Sequence, residues 1–187
     1  MQSYSNEIKI LSGTFKGKNI PVLNAKDLRP TSVLVRKVLF SWLINDLPQA
    51  SVLDLFAGSG ILGYEAISNG AASLTQVELS KDVYENLKKI NSTFKVNTKI
   101  SLFNQNAIDF INNHNDKYNV IFIDPPYDSE IYEEILSTIL NRQLIDSNAK
   151  IYVEEREGSH VIVPGYRVIK EQQQGQVHFS LWQKSMP

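Results

Sequence analysis

The sequence predicts an α/β fold, a mostly parallel sheet with helices on both faces. Three observations carry that expectation. From Ser51 onward short apolar runs alternate with segments of helical periodicity, and the right-handed crossovers of such a pattern lay successive strands side by side in one parallel sheet. Near the end, Val177, Phe179 and Leu181 alternate with His178, Ser180 and Trp182, the period of a strand in a closing antiparallel pair. A chain of 187 residues, 42% of them hydrophobic, also suffices for one domain with a sizeable core.

Taken in order, residues 7–23 read as two short strands around the turn signals Ser12-Gly13 and Lys16-Gly17-Lys18, with Pro21 closing the second strand. A helix follows, begun by Pro30 with Thr31 or Ser32. Its Val35, Val38, Leu39 and Trp42 recur at helical spacing, a stripe that packs it on the body. Strands are expected at 52–56, 74–78, 100–103, 120–124 and 151–154, and helices at 61–69, 80–91, 107–112 and 130–140. The pair 166–170 and 176–182, separated by Gly175, brings the sheet to seven strands. No repeat or linker interrupts the chain. Residues 1–187 are therefore read as a single domain, with 1–45 a hairpin-and-helix extension and 46–187 the core.

Composition excludes several classes. With 21% charged and 10% aromatic residues the chain is globular rather than disordered. It contains no run of about 18 apolar residues, so no membrane span is expected. The start MQSYSNEIKI lacks the basic head and apolar core of a secretory signal, which points to the cytoplasm. Zero cysteines rule out disulfides, cysteine-ligated metals and cysteine nucleophiles. His114, His160 and His178 show no ligand spacing, and no metal is expected. The net charge of -1 hides an asymmetry, because residues 1–40 carry seven lysines and arginines against Glu7 and Asp27, a net of +5. Such a segment is either an arm for a polyanion such as nucleic acid or a solvated lysine-rich hairpin, and charge alone does not choose.

Two motifs carry chemistry. The first, DLFAGSGILG from Asp54 to Gly63, follows an expected strand and opens a helix, the context of a nucleotide-binding glycine turn. Gly58 and Gly60 let backbone approach a ligand with no Cβ in the way, and Gly63 allows close helix–strand packing. Glu78 ends the next strand, where a carboxylate accepts hydrogen bonds from both hydroxyls of a ribose. A tight strand-to-helix connection is the plainer reading of the turn alone. The second motif, Asp124-Pro125-Pro126-Tyr127, follows the apolar strand NVIFI. Two prolines stiffen the chain just past the carboxyl end of a strand, where α/β proteins bind ligands. Asp124 and the Pro125 carbonyl would accept the hydrogens of an exocyclic amine while Tyr127 stacks on its ring.

These residues resemble class I S-adenosylmethionine-dependent methyltransferases that modify exocyclic amino groups. More closely, the whole chain is similar to the RsmD family, bacterial methyltransferases acting on guanine N2 of 16S ribosomal RNA. The similarity runs from Ile8 to Trp182 and rests on IKILSGTFKGKNI, LRPT at Leu28 to Thr31, VRKVLFSWL at Val35 to Leu43, DLFAGSG, DPPY, YVE at Tyr152 to Glu154, and Gly175-Gln176-Val177. The resemblance implies a Rossmann-like class I methyltransferase fold with a seven-stranded, mostly parallel sheet plus the N-terminal hairpin and helix. It implies S-adenosyl-L-methionine held by Asp54, Phe56, Gly58, Ser59 and Gly60, its ribose by Glu78 and its adenine by Asn106 and Ala107. Catalysis falls to Asp124, Pro125, Pro126 and Tyr127, and the expected RNA contacts are Lys16, Lys18, Arg29 and Arg36. The chain departs from the family after LRPT, where Val33 and Leu34 replace an acid and an arginine, and Lys37 replaces a common acid.

The expected reaction is direct methyl transfer, with guanine N2 attacking the sulfonium methyl in line. Asp124 and the Pro125 carbonyl would orient the nitrogen lone pair and stabilise the charge developing on it. Tyr127 would hold the base after it leaves its stack. The partner expected is 16S ribosomal RNA, free or within an assembling small subunit, with the enzyme a monomer. Rival readings are an N6-adenine nucleic-acid methyltransferase, a nicotinamide-dependent dehydrogenase using the literal G-x-G-x-x-G, and a noncatalytic RNA-binding protein. Cytosine-C5 methylation is excluded by the missing cysteine.

Overall fold

A computed structural model describes residues 4–23, 31–94, 98–126, 131–156 and 162–185. Expectations that fall on Pro30, Arg29, Tyr127 and His160 lie outside them. The N-terminal segment forms a two-stranded antiparallel ribbon of β1 (Tyr4–Lys9) and β2 (Asn19–Leu23), followed by α1 (Val33–Trp42). Pro21 does not close β2, which runs on to Leu23, with Pro21 paired opposite Glu7. In a two-stranded ribbon β2 has a free edge, so a proline without an N–H is tolerated there.

The body alternates strand and helix as the periodicity requires. Its elements are β3 (Ser51–Asp54), α2 (Ile61–Ser68), β4 (Ser73–Glu78), α3 (Lys81–Thr93), β5 (Lys99–Asn104), α4 (Ala107–Asn113), β6 (Tyr118–Ile123), α5 (Ile131–Asn141), β7 (Ile145–Arg156), β8 (Tyr166–Gln174) and β9 (Val177–Lys184). The sheet has seven strands in the order β5-β4-β3-β6-β7-β9-β8. β3 to β7 pair in parallel, and β9 joins antiparallel to both β7 and β8. From β3 the chain winds outward through β4 and β5, then returns to place β6 on the other side of β3. That reversal opens a crevice at the carboxyl ends of β3 and β6, the place where open α/β sheets bind ligands.

Side-chain alternation divides the core between the two faces. Val52, Leu74, Phe122 and Tyr152 face one cluster with α1, α2 and α3, while Leu53, Val77, Ile121, Ile123 and Val153 face the other with α4 and α5. β9 lies between two strands and is covered on both faces, so Phe179, Ser180, Leu181 and Trp182 are all buried. β8 is an edge strand and extends past residue 170 through Gln172, Gln173 and Gln174, which pair with Phe179, His178 and Val177. β7 starts at Ile145, six residues before its apolar run at 151. Its polar Asp146, Ser147 and Asn148 are exposed beside a register irregularity opposite β6.

The ribbon is fastened to α2. Leu11 N donates to Glu65 Oε1 at 2.8 Å, Thr14 N to the Ser68 carbonyl at 2.7 Å and Phe15 N to Ser68 Oγ at 2.9 Å. Gly13 makes this approach possible, because its φ is +76° and a Cβ there would lie 1.8 Å from the Ser68 oxygen. No helix among the described residues is long and apolar enough to cross a membrane.

Candidate active site

At the crevice, β3 ends in Asp54 and the chain turns through Phe56, Gly58, Ser59 and Gly60 into α2. Gly60 caps α2 at φ 77° and donates its N–H to the Ala57 carbonyl at 2.6 Å. A Cβ at Gly60 would come within 2.6 Å of Tyr64 and 2.8 Å of Leu87, so the turn admits no larger residue without rearrangement. Ser59 is buried, and its Oγ accepts from Ile61 N at 3.4 Å.

Glu78, at the end of β4, reaches back across this turn. Its Oε2 accepts from Gly58 N at 2.9 Å and its Oε1 from Ser80 N at 2.7 Å. Each oxygen keeps a second lone pair for a ligand hydroxyl. Burial raises the Glu78 pKa, while the N–H groups of Ser80, Gly58 and Leu79 draw it back. Asn106 uses its side chain as the N-cap of α4, accepting from Ile108 N at 2.8 Å and Asp109 N at 3.3 Å. The cap uses only the side-chain oxygen of Asn106, so its amide NH2 is not consumed by it, and Ala107 beside it is buried.

Asp54 is only 2% exposed, and its Oδ2 has no hydrogen-bond partner among the described residues. Burial pushes its pKa up to about 7, assisted by the Glu78 carboxylate and opposed by the backbone N–H groups of Gly63 and Phe56. A buried acceptor without a donor is costly. A ligand ammonium would satisfy it, and the methionine end of S-adenosylmethionine carries one.

Asp124 follows β6 directly, half-buried, with Pro125 buried and Pro126 exposed beyond it. The register that sets Ile123 opposite Val153 brings Glu154 of β7 beside it. Burial, Glu154 and Asp54, in that order, raise the Asp124 pKa well above its ordinary value. A hydrogen bond from Thr31 Oγ1 to Asp124 Oδ2, at 3.5 Å, acts the other way. Glu154 is itself raised by burial and steadied by the Tyr152 hydroxyl, which donates to its Oε2 at 2.6 Å. Among the described residues no cluster of three or more His, Asp or Glu side chains is arranged to hold a metal.

The crevice therefore gathers Asp54, Phe56, Gly58, Ser59, Gly60, Glu78, Asn106, Ala107, Asp124, Pro125 and Pro126 on neighbouring strand ends and turns. It does not gather the basic residues. Lys18 sits with its ammonium 3.9 Å from the centre of the Phe94 ring, at the end of α3. Lys16 is exposed at the turn. Arg36, expected on an RNA-facing surface, is instead 1% exposed. Its guanidinium donates to Glu65 Oε1 at 2.7 Å, to the Lys9 carbonyl at 3.0 Å and, through Nε, to the Thr31 carbonyl at 3.2 Å. Buried cations are retained where they are paired, and this one is consumed by the fold. Sequence reasoning missed Glu154 and Thr31 as neighbours of Asp124. The one signal for either was Glu154 itself, an acid closing the apolar run Ile151-Tyr152-Val153 inside β7.

This fold, with a glycine turn, a strand-end acid and a D-P-P segment around one crevice, is that of a class I methyltransferase. A family model described as "Conserved hypothetical protein 95" matches residues 8–183. The chain belongs to that family, the RsmD family. It is 36% identical over 181 residues to "Ribosomal RNA small subunit methyltransferase D" of Haemophilus influenzae, covering 95% of this chain and 94% of the relative. The protein of the same name from Escherichia coli K12 is 34% identical, over 97% of this chain and 92% of its own. Among solved structures, "Putative methyltransferase yhhF from Escherichia coli" superposes with a TM-score of 0.87 at 34% identity, covering 97% of this chain and all of that one.

Proposed function

We propose that the protein transfers the methyl group of S-adenosylmethionine to the exocyclic N2 amine of a guanine in small-subunit ribosomal RNA. The observation that carries the reading is the pairing, across the β3–β6 crevice, of an orphaned buried acceptor at Asp54 with an amine-accepting group at Asp124–Pro125. Support for the RNA comes from relatives named for small-subunit ribosomal RNA methylation that match nearly the whole chain.

When bound, S-adenosylmethionine supplies an electrophilic methyl group. Asp54 holds the ammonium end, Glu78 the ribose hydroxyls, and Asn106 with Ala107 the adenine edge. Asp124 and the Pro125 carbonyl accept the two hydrogens of the substrate amine. They turn its lone pair toward the methyl and stabilise the positive charge that grows on nitrogen. Tyr127 stacks on the extruded base. Methyl transfer would form the N–C bond while the S–C bond breaks, after which the nitrogen would lose one proton. Asp124 or water takes it.

Mass spectrometry of nucleosides from ribosomal RNA tests this, using cells with the gene, without it, and with Asp124→Ala in its place. N2-methylguanosine is expected only with the intact gene. Loss of the acceptor costs about 2.7–4 kcal/mol at the transition state, by analogy with lost oxyanion donors, or roughly a hundred- to thousandfold in rate. Appearance of N6-methyladenosine instead would move the activity to the other amine. An unchanged nucleoside profile would refute the assignment.

A further inference from the structure

A second concavity, apart from the crevice, opens between the ribbon, α1 and α2. It encloses about 500 Å³, within the range of ligand-binding clefts. Its floor is the Arg36–Glu65 ion pair, whose opposite charges cancel locally. Ile10 and Phe40, both buried, form its apolar base, and Ile44, 63% exposed just after α1, presents apolar surface at its side. Around the mouth stand three exposed lysines, Lys9 and Lys16 from the ribbon and Lys37 from α1. Among the described residues none of these three is ion-paired, and Glu65 is the single acid in the lining.

A basic rim over an apolar wall is how proteins hold single-stranded nucleic acid, with cations tracking phosphates and flat apolar surface taking the sugar and base. We infer that this groove binds the RNA backbone flanking the target nucleotide, with Lys9, Lys16 and Lys37 on phosphates and the exposed Ile44 against a neighbouring nucleotide. The inference rests on the RNA methyltransferase reading above. Its location agrees with that role, since Arg36 in the floor bonds the Thr31 carbonyl and Thr31 in turn bonds Asp124. The floor is thus two hydrogen bonds from the group that meets the base. The basic side chains that sequence charge suggested are redistributed accordingly. Arg36 becomes the floor, and Lys9 and Lys37 take the exposed positions.

The test is the salt dependence of binding, by fluorescence anisotropy, to labelled naked small-subunit ribosomal RNA. The proteins compared are wild type, Lys9→Ala/Lys37→Ala, and Lys88→Ala/Lys99→Ala. The last removes the same charge from exposed positions on α3 and β5. At about 0.7–0.9 per lost phosphate contact, the log–log slope should fall by roughly 1.4–1.8 in the first variant and little in the second. S-adenosylmethionine affinity should stay at the wild-type value in both. Equal slopes in the two variants overturn the groove while leaving RNA methylation standing. Should the wild-type protein bind only isolated small subunits, the same slopes are read on those, and binding of S-adenosylmethionine but of neither naked RNA nor subunits removes both readings. Unchanged affinity for RNA with lost retention on small ribosomal subunits gives the groove to an acidic protein surface, and also overturns the proposal.

Discussion

In the proposed reaction Asp124 accepts one hydrogen of the amine beside the Pro125 carbonyl and does so best when ionised, and its surroundings oppose ionisation. Burial, Glu154 from β7 and Asp54 from β3 all favour the proton, whereas the Thr31 hydroxyl, arriving from the segment before α1, favours the charge. Thr31→Val keeps the shape and deletes that donor. The Asp124 pKa should then rise further, and the acid limb of the kcat–pH profile should move to higher pH by roughly 0.4–1 unit, the worth of one such hydrogen bond. Thr31→Ser should restore the limb. A profile unmoved in Thr31→Val would mean that the hydroxyl serves only packing. The carboxylate itself was legible in the sequence, because two prolines after an apolar strand mark a rigid strand end. Its regulators were not legible, since Thr31 lies 93 residues away along the chain and meets Asp124 only through the docking of α1.

α1 shows the same division at the level of an element. The apolar stripe foretold a helix packed on the body, and Val35 and Leu39 are buried as its spacing requires. The stripe could not say that Arg36 would go in with them, because a sequence shows a charge and not the partner that lets it be buried. The partner is Glu65, a wholly buried acid inside the apolar helix α2. In hindsight that acid demanded a cation or a set of donors. The pair ties α1 to α2 while Glu65 also receives Leu11 N from the ribbon, so three elements share one junction. Arg36→Ala leaves Glu65 buried and uncompensated and should cost about 3–5 kcal/mol, lowering the melting temperature by roughly 6–20 °C for a chain of this size. Lys37→Ala, one residue on and exposed, should leave the melting temperature near wild type. A thermally silent Arg36→Ala, measured by calorimetry, would contradict the junction. The strand ends β7 and β8 were misread for a related reason. Asp146 to Asn148 and Gln172 to Gln174 carry no apolar alternation; the glutamines are held by ladder partners on β9, whereas Asp146 to Asn148 fall in the register irregularity between Ile145 and Lys150 opposite β6.

Across the whole molecule, acids collect at one edge of the sheet, with Asp54, Glu78, Asp124 and Glu154 on the carboxyl ends of β3, β4, β6 and β7, and each has its pKa raised chiefly by burial. The parallel sheet was readable from alternation, because right-handed crossovers lay successive strands in one sheet, whereas its strand order came from the structure. The electrostatic consequence was not, since it depends on four side chains from distant segments being desolvated together. For Asp54 the folded pKa stands near 7 against an ordinary 3.8, so the folded protein holds its proton more tightly than the unfolded chain. The sign follows directly. Stability of the ligand-free protein is greatest below about pH 4 as far as this group is concerned, and it declines as pH rises toward 7. Pairing with the ammonium of S-adenosylmethionine requires the ionised form and lowers that pKa, so binding near pH 6 should expel close to one proton. Titration calorimetry at pH 6 in buffers of different ionisation enthalpy reads this number directly. The cofactor's increment in melting temperature should also be larger at pH 8 than at pH 5. Asp54→Asn should abolish the proton release and flatten the difference between the two pH values. Proton release near zero in the wild-type protein, with S-adenosylmethionine bound, would show that the ammonium does not sit on Asp54 and that the orphaned oxygen is satisfied by another group.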